Sequence, residues 1–213
     1  MLNRVTFLVD GFNLHFSVRR AQTTLGNRSL RWLDVKGLLE SYLSVFGREA
    51  RLEEIHFFTA VPDYLHRVDP HAILRHRNYL KALVSTGLRL HVASFKRKRV
   101  TCSRCGADFE VREEKETDVA LGVKAIELLH LGRCDTVVFV SGDTEFAPAI
   151  RTSKRLFPAV QVCVAFPHAR FNAELQQLAD RSFRIRAARY AEHQLPDPIK
   201  LPDGRTLHKP TGW

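Results

Sequence analysis

In VTFLVDGFN, residues 5–13, five uncharged residues run straight into Asp10 and Gly11. An unbroken apolar run, rather than an alternating one, is the pattern of a strand covered on both faces, as in a parallel sheet with helices above and below. Similar runs recur at residues 55–60, 88–93, 136–140 and 160–165. Between them the apolar residues take helical spacing, at 33–46, 71–85, 119–131, 144–156 and, more briefly, 171–178. Strands alternating with helices predict right-handed βαβ units and an α/β fold with a mainly parallel sheet. In the helix over 119–131, Val119, Val123, Ile126 and Leu129 are expected to face the sheet.

Two segments break the alternation. Residues 96–116 are highly charged, contain Cys102 and Cys105, and read as an inserted loop or small hairpin. Residues 191–213 hold four of the nine prolines and a Pro-Asp-Gly turn signal, which predicts an extended tail following a domain over 1–190. With 213 residues, 45% of them hydrophobic, the chain can bury one core and carry an appendage, but two full domains are not expected. No apolar stretch approaches the ~18 residues of a membrane span. Residues 1–9 lead directly into a strand instead of a signal peptide, and four cysteines without a secretory signal do not read as a disulfide framework. A cytoplasmic protein with no membrane partner is the expectation.

The 33 Lys and Arg against 23 Asp and Glu give a formal charge of +10, which favours an anionic partner. The excess is uneven. Residues 1–33 carry +4, 34–61 carry −2, 62–99 carry +7, 100–180 carry −3 and 181–213 carry +4. An acidic stretch inside a basic protein asks for an explanation, and its carboxylates stand at particular places. Asp10 follows one strand, Asp143 follows another by two residues, Asp118 opens a helix, and Glu145 lies two residues after Asp143. Residues just past the carboxyl ends of parallel strands line the crevice where ligands bind. Helix capping explains any one of these acids equally well. Several together would repel one another unless a cation sat among them, and oxygen ligands suit Mg2+ or Mn2+.

Three motifs carry a resemblance to a known family. Asp10-Gly11-Phe12-Asn13, EEKETDVALG at 113–122 and SGDTEF at 141–146 together resemble the NYN domain family, in the LabA-like branch of the PIN-like nuclease superfamily. The resemblance covers roughly residues 3–187. It implies a Rossmann-like α/β/α sandwich whose acidic cluster binds Mg2+ or Mn2+ and cleaves RNA, leaving a 5′-phosphate and a 3′-hydroxyl. It makes Asp10, Asp118 and Asp143 metal-binding acids, and Asn13 a polar neighbour of the first, placed to contact metal-bound water or phosphate. Glu145 stands where many relatives carry Asp, and its longer side chain would reach a metal directly or through water. A homodimer is a further expectation, since PIN-like nucleases commonly dimerise. Ser141 and Thr117 read as helix caps.

CSRCG at 102–106 is half a zinc-ribbon signature. Zinc at Cys102 and Cys105, with His91 as a third ligand, stands beside two alternatives, a turn with two free thiols and a redox-sensitive pair. Cys134 and Cys163 sit with core strands, where buried thiols are ordinary. Lys96, Arg97, Lys98 and Arg99 form a basic run leading toward Asp118, and with Arg19, Arg20, Arg28 and Arg31 they could hold an RNA backbone. Phe95 and Phe109 could stack on unpaired bases. A non-catalytic RNA-binding module remains an alternative to a ribonuclease. A haloacid-dehalogenase-like phosphatase would need a second Asp where Phe12 stands. No glycine-rich nucleotide loop, GxGxxG or GxxxxGK[ST], is present.

Overall fold

The computed structural model describes residues 2–26, 28–64 and 68–213. Its strands are β1 (Asn3–Asp10), β2 (Ala50–Ala60), β3 (Arg89–Thr101), β4 (Asp108–Lys115), β5 (Thr136–Val140), β6 (Gln161–Phe166) and β7 (Arg181–Arg184). The helices are α1 (Gly11–Thr24), α2 (Val35–Glu40), α3 (Pro70–Ser85), α4 (Thr117–His130), α5 (Ala147–Leu156), α6 (Ala173–Leu178) and α7 (Ala187–Glu192). The seven strands form one sheet in the order β4-β3-β2-β1-β5-β6-β7. All neighbours are parallel except β3 and β4, which pair antiparallel at one edge.

Successive residues of β1 point to opposite faces and so enter different cores. Val5, Phe7 and Val9 pack with Leu14 and Val18 of α1, whereas Leu8 packs with Leu121 and Ala125 of α4 and Ile150 of α5. Helices thus cover both faces, giving the α/β/α sandwich. Each fully buried side chain of this kind contributes roughly 1.5–3 kcal/mol. Among the described residues no helix is long and apolar enough to cross a membrane.

Several elements differ from the sequence expectation, each for a local reason. Helix α1 has no counterpart there, because its apolar stripe of Leu14, Val18 and Ala21 is interrupted by Ser17. That hydroxyl is buried and satisfied by the carbonyl of His168 (2.8 Å) and by the Tyr190 hydroxyl (2.7 Å). The helix expected over 33–46 breaks after α2, where Ser41 donates to the carbonyl of Leu38 (2.6 Å), and resumes as a 3-10 turn at Leu43–Phe46. The helix expected from 144 begins with a 3-10 turn at Thr144–Phe146, and α5 proper starts with Pro148 in its first turn. Helix α4 has two apolar stripes, and the sheet takes Leu121, Ala125, Leu128 and Leu129. Val119 and Val123 are instead 71% and 61% exposed.

Of the two readings of residues 96–116, the structure has the hairpin, and it extends the sheet. Strand β3 continues to Thr101, and β4 returns beside it as an antiparallel ribbon. The prolines of the tail bound a small hairpin, β8 (Ile199–Lys200) with β9 (Thr206–Leu207). The tail is docked against the domain. Leu195 donates its N–H to the carbonyl of Trp32, the Trp32 indole donates to the carbonyl of Pro196, and Leu195 and Ile199 are buried.

Candidate functional site

Strand order reverses at β1 and β5, the topological switch point where open parallel sheets bind ligands. Val9 and Val140 are register partners, so Asp10 and Ser141 leave the sheet side by side. The Ser141 hydroxyl donates to Asp10 Oδ2 (2.9 Å) and accepts the N–H of Asp143 (3.1 Å). Asp10 Oδ1 accepts the N–H of Asn13 (2.9 Å), and Asn13 Oδ1 accepts the N–H of Gly142 (3.2 Å). The two strand ends are therefore laced to each other through the side chains of Asp10, Asn13 and Ser141.

Each of these two acids has a glycine beside it for a steric reason. A Cβ on Gly11 would lie 2.5 Å from the carbonyl oxygen of Phe58, and one on Gly142 would lie 1.7 Å from that of Arg170. Only glycine permits such approach of backbone to backbone. Asp10 is also the N-cap of α1, and Asp143 caps the 3-10 turn by accepting the N–H of Glu145 (3.1 Å). Capping and site formation thus coexist in the same two carboxylates.

Asp118 enters from the first turn of α4, with Glu145 as a neighbouring carboxylate. Burial, the charge of Asp10 and the contact with Glu145 together push its pKa up to about 7, with Glu114 adding to the effect. Burial also raises Asp10, with Asp143 pushing the same way, against the hydrogen bonds from Asn13 and Ser141. Among the described residues, no Lys, Arg or His forms an ion pair with Asp10, Asp118, Asp143 or Glu145. The turn into α4 puts Glu116 at φ 83°, a left-handed conformation unusual for a side chain of that size.

Among the described residues, no group of three or more His, Cys, Asp or Glu side chains is drawn together closely enough to hold a metal ion. The donor chemistry nevertheless fits a divalent cation: oxygen ligands only, mutually repelling, with pKa values raised at Asp10 and Asp118 that a nearby positive charge would reverse.

Other residues take roles that their sequence context did not announce. Asn13 braces the strand ends, and Ser141 does more than cap, since it joins Asp10 to Asp143. Thr117 gives both its N–H and its hydroxyl to Glu114, which makes Glu114 the capping group of α4 and a neighbour of the cluster. The signal for Glu114 was its place three residues before the helix, where a carboxylate can reach back to the first N–H groups.

Cys102 and Cys105 lie at the tip of the β3–β4 ribbon, closed by Cys102 N–H to Ala107 O (2.8 Å) and Gly106 N–H to Cys102 O (2.9 Å). The N–H groups of Arg104 and Cys105 lower the Cys102 pKa. His91 cannot join them. It lies eleven positions back along β3, roughly 35 Å at strand rise, with its ring stacked on Phe58 (4.4 Å) and hydrogen-bonded to His56 (2.9 Å). Two thiols fall short of a closed zinc site, and no third ligand joins them among the described residues. Burial raises the Cys134 and Cys163 thiols to about 11 and about 12, as core residues.

The basic run is largely neutralised by its own ribbon. Lys96 pairs with Glu116 (2.8 Å), Arg97 with Glu110 (4.0 Å) and Lys98 with Glu113 (3.3 Å), while Arg99 makes no ion pair among the described residues. Arg19 and Arg20 lie on α1, also without an ion pair among the described residues, beside a shallow groove that Phe16 and Arg170 share.

A family model for the NYN domain matches residues 4–186. Among solved structures, a protein of unknown function from Vibrio parahaemolyticus RIMD 2210633 is similar at 20% identity, covering 91% of this chain and 97% of that one with a TM-score of 0.52. That likeness shows the fold alone. No curated protein matches the chain.

Proposed function

We propose, from the premise that this chain belongs to the NYN domain family of the PIN-like nuclease superfamily, that it is a ribonuclease dependent on Mg2+ or Mn2+. One observation carries the reading: in a protein of charge +10, four carboxylates stand near enough at the switch point of the sheet to raise the pKa of Asp10 and Asp118, without a cationic partner among the described residues, although no three of them are drawn within metal-binding distance. Asp10, Asp118, Asp143 and Glu145 would hold the metal. Such an ion, when bound, lowers the pKa of a water and neutralises charge on a phosphodiester undergoing in-line displacement.

The residues of the chain do the rest. Ser141 and Asn13 hold Asp10 and the Gly142 backbone in fixed relation, so the distance between the first and third acids is set before any ligand arrives. Asp118 is held up to about 7 by burial and the charges of Asp10 and Glu145, a repulsion that a bound cation would relieve. Arg19 and Arg20 on α1, without an ion pair among the described residues, present their charge to a phosphate backbone, and Arg99 adds to it from the ribbon. Phe12 occupies the place where a haloacid-dehalogenase-like phosphatase needs its second aspartate, and its ring packs edge-on against Phe95 (5.9 Å).

Labelled single-stranded RNA, incubated with Mn2+ or Mg2+, tests the proposal. Asp10→Asn and Asp143→Asn should each lower cleavage by about a thousandfold or more, the loss of several kcal/mol of transition-state stabilisation. If the wild type binds RNA and leaves it as intact as the variants do, the protein is a binding module. Phosphate release from a monoester that disappears in Asp10→Asn would favour the phosphatase.

A further inference from the structure

A cavity of about 520 Å3 opens between α1 and α3 at the carboxyl ends of β1 and β2. It lies one residue from the acidic cluster, because Gly11 and Phe12, which follow Asp10, form part of its wall, together with Thr59 and Ala60 from the end of β2. Its volume is in the range of small-ligand pockets, roughly 300–1,000 Å3.

The lining is aromatic and cationic. Phe95 meets Phe12 edge-on on one side and Tyr64 on the other (5.2 Å), and Trp213 of the docked tail packs against Tyr79 (5.6 Å). Arg19, Arg31 and Arg75 reach the cavity, and no Asp or Glu lines it among the described residues. Two of its polar atoms, Arg31 Nε and His76 Nε2, are buried and have no hydrogen-bond partner among the described residues. Buried polar groups left without a partner are costly, so a pair of them on residues that line one cavity points to a ligand.

The two atoms differ in kind. Arg31 Nε can only donate. Burial lowers the pKa of His76 and favours its neutral imidazole, whose Nε2 accepts in the tautomer that carries its proton on Nδ1. One donor and one acceptor, set among aromatic rings, complement the edge of a heteroaromatic ring that carries both functions. A nucleobase has that edge, and its faces stack on aromatic side chains whatever its identity. A lipid chain would leave both atoms unsatisfied.

We infer that this cavity is a base pocket: it takes one unpaired nucleobase of a single-stranded nucleic acid whose backbone passes the acidic cluster, with Arg19 toward the adjoining phosphate. The inference rests on the nuclease reading for the path of that backbone. It extends that reading to a substrate with an unstacked base beside the cluster. A free mononucleotide presents the same base and phosphate, so the two sources must be told apart.

The test is binding of a fluorescently labelled octaribonucleotide to the full chain in chelator, compared with versions carrying one abasic position at each site in turn. One position should be sensitive, weakening binding by about tenfold through lost stacking, while the others change it by less than about threefold. Arg31→Gln and His76→Phe should weaken the intact strand by about tenfold and leave the strand with that one base removed unaffected. Mononucleotides, followed by quenching of tryptophan fluorescence, should bind far more weakly than the strand. Equal affinity would assign the cavity to free nucleotides and overturn the proposal, and so would an abasic scan with no sensitive position or an absence of binding. The scan needs no variant and therefore stands even if Arg31→Gln fails to fold. Cleavage without a sensitive position sinks the pocket alone. A sensitive position coupled to Arg31, without cleavage under Mn2+ or Mg2+, sinks the nuclease reading alone.

Discussion

The acidic cluster and the β3–β4 ribbon gather charge in opposite ways. Asp10, Asp118, Asp143 and Glu145 are spread over the chain, and the fold makes them neighbours that feel one another's charge, without a cationic partner among the described residues. Lys96, Arg97 and Lys98 are consecutive in sequence, yet each meets a glutamate within the ribbon or at its foot. The same kind of group responds accordingly. Burial and like charge raise the Asp118 pKa to about 7, while the lysines beside Glu113 and Glu116 lower theirs. A run of charge is available to a partner only if the neighbouring strand leaves it so, and a cluster of one sign persists only where the backbone forces it.

The backbone that does the forcing can be broken. Gly142→Ala puts a Cβ against the carbonyl of Arg170, and relieving that contact moves the loop that Asn13 and Ser141 hold. A loss of about 3 kcal/mol, or roughly 6–12 °C in Tm for a chain of this size, is expected in a thermal melt. An unchanged melt would mean that the loop relaxes freely and the cluster is not rigidly braced.

A smaller effect tests the repulsion itself. Asp118 titrates near 3.8 when unfolded and near 7 when folded, so between these values the folded chain holds a proton that the unfolded chain has released. The contribution of this group to stability is therefore full below pH 3.8 and lost as pH rises through 7. Because Asp118 is partly exposed, solvent screening reduces the magnitude. In chelator, Asp118→Asn should raise Tm by about 2–4 °C at pH 8 and leave it unchanged near pH 3.5. A variant less stable than the wild type at pH 8 would show that Asp118 is stabilised as an anion.

On the ribbon the expected effects are least. Lys96→Gln and Lys98→Gln should each change stability by less than about 0.5 kcal/mol and RNA affinity by less than about threefold, since exposed ion pairs contribute little and these charges already have partners. A tenfold loss of affinity from either would return the basic run to the position that its sequence invites.

The β1 and β5 acids were legible because an apolar run followed by Asp or Gly-Asp has few other meanings in a parallel sheet. Helix α1 was not, because Ser17 interrupts its stripe and only Tyr190 and the carbonyl of His168, more than 150 residues away, make that hydroxyl acceptable in the core. The buried face of α4 was misread since Val119 and Val123 are as apolar as Leu121 and Ala125, and spacing alone does not choose between two stripes. His91 looked like a ligand for the cysteines while extended β3 carries them apart. The tail looked like a loose arm because prolines conceal its docking, and the role of Trp213 in a cavity wall depends on where that docking ends.

From the sequence alone come the alternation of strands and helices, the placing of Asp10 and Asp143 at strand ends, and the glycines beside them. The first two depend on near neighbours in the chain, where hydrogen-bonding and steric preferences act over a few residues, while the reason for the glycines, the carbonyls of Phe58 and Arg170, lies far along it. Which carboxylates share a site, which lysines remain unpaired, and which aromatic rings enclose a cavity depend on residues far apart in sequence. Burial and Coulomb interaction are set by distance in space, and for these side chains only the packed sheet and its helices supply that distance.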